Sequence, residues 1–174
     1  MRRTGFYSIT FAIESGSQKI LNQMNKKINL KIIPKMVREA KKLGYFIPAY
    51  FMLGFPNETY ATARQTIQFA KSLPLDRAVF FLVQPLPGSK LFNDLIQKRD
   101  PGKMNEYLYY FFTHKNNIEI TDGKKKIVLP RDAYREFILR PKQIFRSIRF
   151  NIEAASLRQL LLRLKFAKLR LDRF

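Results

Sequence analysis

Apolar and polar residues come in blocks along the first hundred positions, and each block has its own period. Residues 6–13, "FYSITFAI", are rich in β-branched and aromatic side chains and predict a buried strand. The polar "ESGS" that follows predicts a loop, with Ser17 as N-cap of a short helix in which Ile20, Leu21 and Met24 recur at helical spacing. A second helix is predicted over 31–43. Its inner face carries Ile32, Ile33, Met36, Val37, Ala40 and Leu43, with Pro34 in its first turn and Gly44 as its stop. "YFIPAYFML", 45–53, predicts a second strand, and Pro48, which cannot donate to a ladder, stands near its start. After "GFPN", Glu58 and Thr59 open a helix to about Leu73 that turns Ala63, Ile67 and Ala70 inward. "AVFFLV", 78–83, predicts a third strand, "QPLPGS" a loop, and a further helix follows over 89–98.

Strands that are apolar throughout, alternating with amphipathic helices, predict βαβ units and a parallel sheet. Right-handed crossovers then bring the C-terminal ends of all three strands to one edge of that sheet. The polar turns "ESGS", "GFPNET" and "QPLPGS" meet on that edge, where open α/β sheets bind their ligands.

Beyond Arg99 the pattern changes. "MNEYLYYFFTHKN" is strongly aromatic and reads as helix, and its rings read as core. "IEI" and "IVL" flank "TDGKKK" as a small hairpin with Asp122-Gly123 in its turn. From Pro130 the chain reads as helical, interrupted near Pro141, and its last segment lines up Leu157, Leu160, Leu161, Leu164 and Leu171 with basic residues around them. The expected division is therefore 1–100 and a mostly helical extension over 101–174.

Composition narrows the chemistry. The 174 residues contain no cysteine and one histidine, which removes disulfides, the usual zinc sets and any thiolate-held cluster on this chain. His114 sits in the aromatic stretch with no nucleophile motif beside it. No P-loop, no dinucleotide fingerprint and no apolar run long enough to span a bilayer is present, and the expected location is cytoplasmic. The net charge of +20 attracts anionic surfaces. That leaves a second reading, a basic binding module whose C-terminal helix lies on anionic membrane or whose surface meets nucleic acid. No compact RNA-binding motif accompanies the charge, which argues against nucleic acid.

Each turn has an ordinary structural reading as well as a chemical one. In "IESGS", Glu14 can accept from an amine or from ribose hydroxyls, Ser15 and Ser17 can bind a carboxylate, and Gly16 permits close backbone approach. The same residues are common at a helix start. In "GFPNET", Gly54 and Pro56 fix a turn, and Glu58 suits the positive end of the following helix.

Taken in order, "FAIESGSQKILNQMNKK", "AKKLGYFIPAYFMLGFPNET" and "TIQFAKSLPLDRAVFFLVQPLPGSKLF" resemble the second half of a radical S-adenosylmethionine (SAM) core, over about residues 4–95. The nearest subgroup is the one whose members usually carry an N-terminal cobalamin-binding domain. The resemblance implies a partial (β/α)6 barrel, of which this chain supplies the last three β/α units. It also implies a [4Fe-4S] cluster held by a Cys-x-x-x-Cys-x-x-Cys loop, and SAM cleaved to a 5′-deoxyadenosyl radical. By this resemblance Glu14, Ser15, Gly16 and Ser17 form a turn near the ribose and methionine parts of SAM, and Lys26 matches a basic position that reaches its carboxylate. Met52, Gly54, Phe55 and Pro56 form the turn that flanks adenine, and Gln84 and Pro85 lie on the adenine or substrate side. Ala12 and Asn57 stand where glycine is usual, and Asn57 tolerates left-handed backbone well enough to keep the turn. The cluster loop and the first three strands are not on this sequence. The expectation is a C-terminal fragment of a radical SAM enzyme, inactive alone, whose partner is the N-terminal barrel half or a second copy.

Overall fold

The computed structural model describes residues 5–84, 86–96, 118–123 and 125–146. Its main sheet has three strands, β1 (Phe11–Glu14), β2 (Pro48–Leu53) and β3 (Arg77–Leu82), in the order β1-β2-β3 and all parallel. Between β1 and β2 lie α1 (Gln18–Gln23) and α2 (Ile33–Lys42), between β2 and β3 lies α3 (Tyr60–Ser72), and α4 (Lys90–Ile96) follows β3. This is the α/β alternation that the pattern predicts.

The strands are apolar throughout, yet the structure covers only one of their faces. Ala49, Phe51 and Leu53 of β2, with Ala78 and Phe80 of β3, are buried against the helices. Phe51 and Phe80 are paired in register and stack at 5.3 Å. On the opposite face Tyr50 and Phe81 are 41 % and 49 % exposed and meet edge-on at 5.7 Å. The second face is therefore open among the described residues, as expected of a three-stranded parallel half-sheet, because their helices cover only the first.

Pairing of the first strand begins upstream of β1 but is interrupted. The Phe46 N–H donates to the Tyr7 carbonyl at 2.8 Å, and the Ile9 N–H to the Phe46 carbonyl at 3.0 Å. The next bond of a parallel ladder would run from residue 48 to Ile9, and Pro48 has no N–H. Continuous strand consequently starts at Phe11 rather than residue 6, and Phe6 and Tyr7 stay exposed.

In α2 the inner face is narrower than predicted. Ile33, Val37 and Ala40 are buried, whereas Ile32, Met36 and Leu43 are exposed. The exposed three form a stripe of their own, about 100° round the helix from the buried one. Pro34 lies in the first turn and Gly44 takes φ 77° after the last, as expected. In α3, Ala63, Ile67 and Ala70 are all fully buried, and Thr59 and Thr62 cap its start reciprocally.

The described part of the extension contains the predicted hairpin, β4 (Ile118–Thr121) paired antiparallel with β5 (Lys126–Leu129), and then α5 (Arg131–Ile138) and a short helical segment over 141–146. α5 packs on the sheet. Tyr134 and Phe137 approach the Phe80 ring edge-on at 5.4 and 6.2 Å, and the Tyr134 hydroxyl accepts the Phe80 N–H at 3.1 Å. Gln143 and Arg146 donate to the carbonyls of Asp76 and Leu75 at 2.6 and 3.0 Å, and Glu136 bridges Arg64 and Lys71. Pro85, the aromatic stretch with His114 and the leucine-rich end lie outside the described residues.

Candidate functional site

The parallel register brings the ends of β1, β2 and β3 to one edge, and the three turns follow from them. The first is stitched to α3. Ser15 is fully buried, and its hydroxyl pairs with that of Thr66 at 3.1 Å and accepts the Ser17 N–H at 3.1 Å. Thr66 Oγ1 also accepts the Gly16 N–H at 3.1 Å. A Cβ on Gly16 would lie 2.6 Å from both Thr66 Cα and Phe69 Cβ, so glycine is needed here for close approach. Ser17 occupies the N-cap position of α1, but its side chain makes no capping bond. The hydroxyl of Ser15 is thus engaged inside the fold.

Glu14 is different. It holds φ 69°, a left-handed conformation that a non-glycine residue enters only under constraint, at a point where the β1–β2 register shifts. Its carboxylate accepts from Lys26 Nζ at 2.9 Å, so the two charged residues singled out in the sequence do meet. Lys26 lines an open groove together with residues that include Gln18, Asn22 and Lys31.

The second turn is folded around a carboxylate. Gly54 and Asn57 take φ 80° and 65°, and the Glu58 N–H donates to the Phe55 carbonyl at 2.9 Å. Asn57 therefore does hold the left-handed position that glycine usually fills. Glu58 does not simply face the helix end. Its Oε2 turns back to accept the Gly54 N–H, with a further bond from the Phe55 N–H. Its Oε1 is buried with no partner among the described residues. Burial raises its pKa from the ordinary 4.5 to about 7, against the lowering effect of the two amides. Sequence reasoning missed this role, although a carboxylate four residues after a turn glycine was a signal for it. Met52, half-buried, alternates with Phe51 and so belongs to the open face with Tyr50.

The third turn leaves β3 through Val83, whose N–H donates to the Leu53 carbonyl at 2.8 Å. Gln84 is exposed, and Ser89 Oγ accepts the Phe92 N–H at 3.1 Å. The structure thus brings Glu14 to Lys26, sets Met52 on the open face, and puts Gly54 and Gln84 at the adjoining strand ends. No group of His, Asp or Glu among the described residues is arranged to hold a metal ion, and none of their helices is long and apolar enough to cross a membrane.

No family model matches the chain. It is 33 % identical over 148 residues to an uncharacterized methyltransferase, PH0819, of Pyrococcus horikoshii, covering 85 % of this chain and 32 % of that protein. It is 29 % identical over 150 residues to cytidylyl-2-hydroxyethylphosphonate methyltransferase of Streptomyces wedmorensis, covering 79 % and 27 %. Among solved structures, coproporphyrinogen III oxidase of Escherichia coli, a radical SAM enzyme, superposes at a TM-score of 0.48 with 18 % identity, over 62 % of this chain and 26 % of that one. The chain spans about a third or less of the length of these relatives. The parallel α/β sheet and the relatives agree with the three turn motifs, and these similarities support a radical SAM core in the chain.

Proposed function

We propose that this chain forms one wall of a SAM site in a radical SAM methyltransferase or cyclase, as the last three units of its (β/α)6 barrel. The observation that carries the reading is the meeting of the three turns on the edge of a sheet whose second face is open and apolar. Ala12, Tyr50, Met52 and Phe81 offer a surface suited to a purine, and the Glu14 carboxylate beside it suits ribose hydroxyls. Gly54, Phe55 and Pro56 shape the adenine side, Lys26 suits the SAM carboxylate, and Gln84 lies toward substrate. SAM bound to a reduced cluster supplies the 5′-deoxyadenosyl radical in this superfamily. The residues present fit SAM; they do not fit the cluster, because the chain has no cysteine. A second polypeptide segment bearing the thiolates would complete the site, and cobalamin, if used, would belong to a domain on that side. Two relatives named as methyltransferases support methyl transfer as the reaction class.

The test is to join the chain to the first barrel half of such a relative, reconstitute the cluster, and measure SAM binding and 5′-deoxyadenosine. The joined protein is expected to bind SAM and form 5′-deoxyadenosine, and the chain alone to form none. Glu14→Gln is expected to weaken SAM binding by roughly tenfold, the loss of one charge-assisted hydrogen bond. Unchanged SAM affinity in that variant would remove Glu14 from the site.

A further inference from the structure

We infer that Glu58 is the latch of the β2–α3 turn, and that a single proton on its buried carboxyl exchanges the turn between a closed and a loosened form. The inference rests on reading this turn as a wall of the SAM site for its functional meaning, but its physical basis is independent of any ligand.

The geometry is a closed ring. Oε2 takes the N–H of Gly54 while the Glu58 N–H bonds the Phe55 carbonyl, so one residue holds both sides of the turn. Gly54 and Asn57, at φ 80° and 65°, allow the backbone to curl back far enough for this. The second oxygen, Oε1, is removed from water and has no partner among the described residues. An ionised carboxylate in that position keeps half its charge on an oxygen that nothing solvates, and relief requires water to enter or the turn to open. A neutral carboxyl still accepts from Gly54 and leaves only an unpaired hydroxyl, which is cheaper to bury.

Charged groups on the neighbouring elements do not offset this. Glu14 is paired with Lys26, Arg64 of α3 with Glu136 of α5, and Arg77 sits at the far end of β3. Burial is the dominant influence on Glu58, and the only others are the amides of Gly54 and Phe55. The closed form therefore prevails below neutrality and the loosened form above it.

The experiment uses the full chain labelled with 15N-glycine, which gives seven glycine signals. The Gly54 amide is followed from about pH 5 to about pH 9, together with its exchange with solvent. It is expected to titrate with a midpoint near 7 and to lose protection above that point, since burial holds Glu58 at about 7. Glu58→Gln keeps an acceptor for Gly54 but cannot ionise, and its Gly54 signal is expected to stay flat. Glu39→Gln, at an exposed carboxylate, is expected to titrate like the parent. A Gly54 signal that does not move in this range, or that moves equally in Glu58→Gln, overturns the latch. Because the parent chain is informative by itself, the inference stays testable even if the Gln variant fails to fold. Adding SAM at both ends of the titration, to the labelled chain joined to the first barrel half with its cluster reconstituted, separates the two ideas. A response at low pH that fades above the midpoint supports both. Titration with no response to SAM supports the latch and counts against the turn as a SAM wall.

Discussion

Glu58 makes the stability of the molecule depend on pH in a direction opposite to most carboxylates. Its folded pKa, about 7, lies above the ordinary 4.5, so between those values the folded state holds the proton more tightly than the unfolded one. The stabilisation is full below about 4.5 and is lost as pH rises to about 7, by up to about 3 kcal/mol. Glu136 acts the other way. Burial pushes its carboxyl up, but Lys71 and Arg64 outweigh that and hold it below its usual range, so its contribution is lost as pH falls. Denaturant midpoints measured across this range should therefore fall toward neutral pH in the parent and fall less in Glu58→Gln; an identical pH slope in the two proteins would refute the assignment. Gly16 gives a second expectation at this scale. Alanine there would push a methyl against the Thr66 backbone, 2.6 Å away, and its destabilisation should reach about 2 kcal/mol in urea unfolding. The left-handed Asn57 was legible in the sequence because asparagine replaced a turn glycine. The left-handed Glu14 was not, since a glutamate carries no such signal; it coincides with the register shift after Ala12.

At the level of elements, the apolar periods located every strand and helix of the first hundred residues that the structure describes, and the errors have local causes. Pro48 interrupts the ladder and so shortens the first strand. The inner face of α2 was read too wide because periodicity marks apolar positions without saying whether a neighbouring layer exists to cover them. The extension shows what covers β3. Tyr134 supplies an acceptor to the Phe80 N–H, which as a group on an outer strand has no ladder partner among the described residues, and its ring packs on the same side chain. Tyr134→Phe keeps the ring and removes the acceptor. It should destabilise the chain by about 1 kcal/mol, with the Phe80 amide losing exchange protection. Unaltered protection of Phe80 would mean that α5 covers this edge by ring packing alone.

For the molecule as a whole, the unpartnered surfaces lie together in meaning if not in sequence. β1 has a strand on one side only among the described residues, the second face of the sheet presents Tyr50 and Phe81, and α2 shows Ile32, Met36 and Leu43 to solvent. Such surfaces are rare on a protein that works alone. The three turns and the open face were legible because the strands are apolar on both sides; which segment covers them was not, because periodicity marks an apolar face without saying what packs on it. The net charge of +20 sharpens the consequence. Two copies meeting through apolar faces repel each other electrostatically, and salt screens that repulsion, so self-association should strengthen from about 0.05 M to about 0.5 M salt. Binding of nucleic acid or anionic lipid by the same charge would weaken over that range. Light scattering after size exclusion measures the first, and Phe81→Lys, which sets a charge in the middle of the open face, should return the chain toward monomer without disturbing the buried side of β3. A monomer with a cooperative thermal transition at every salt concentration would show that the exposed face needs no partner, and would remove the main reason to see this chain as one side of a larger barrel.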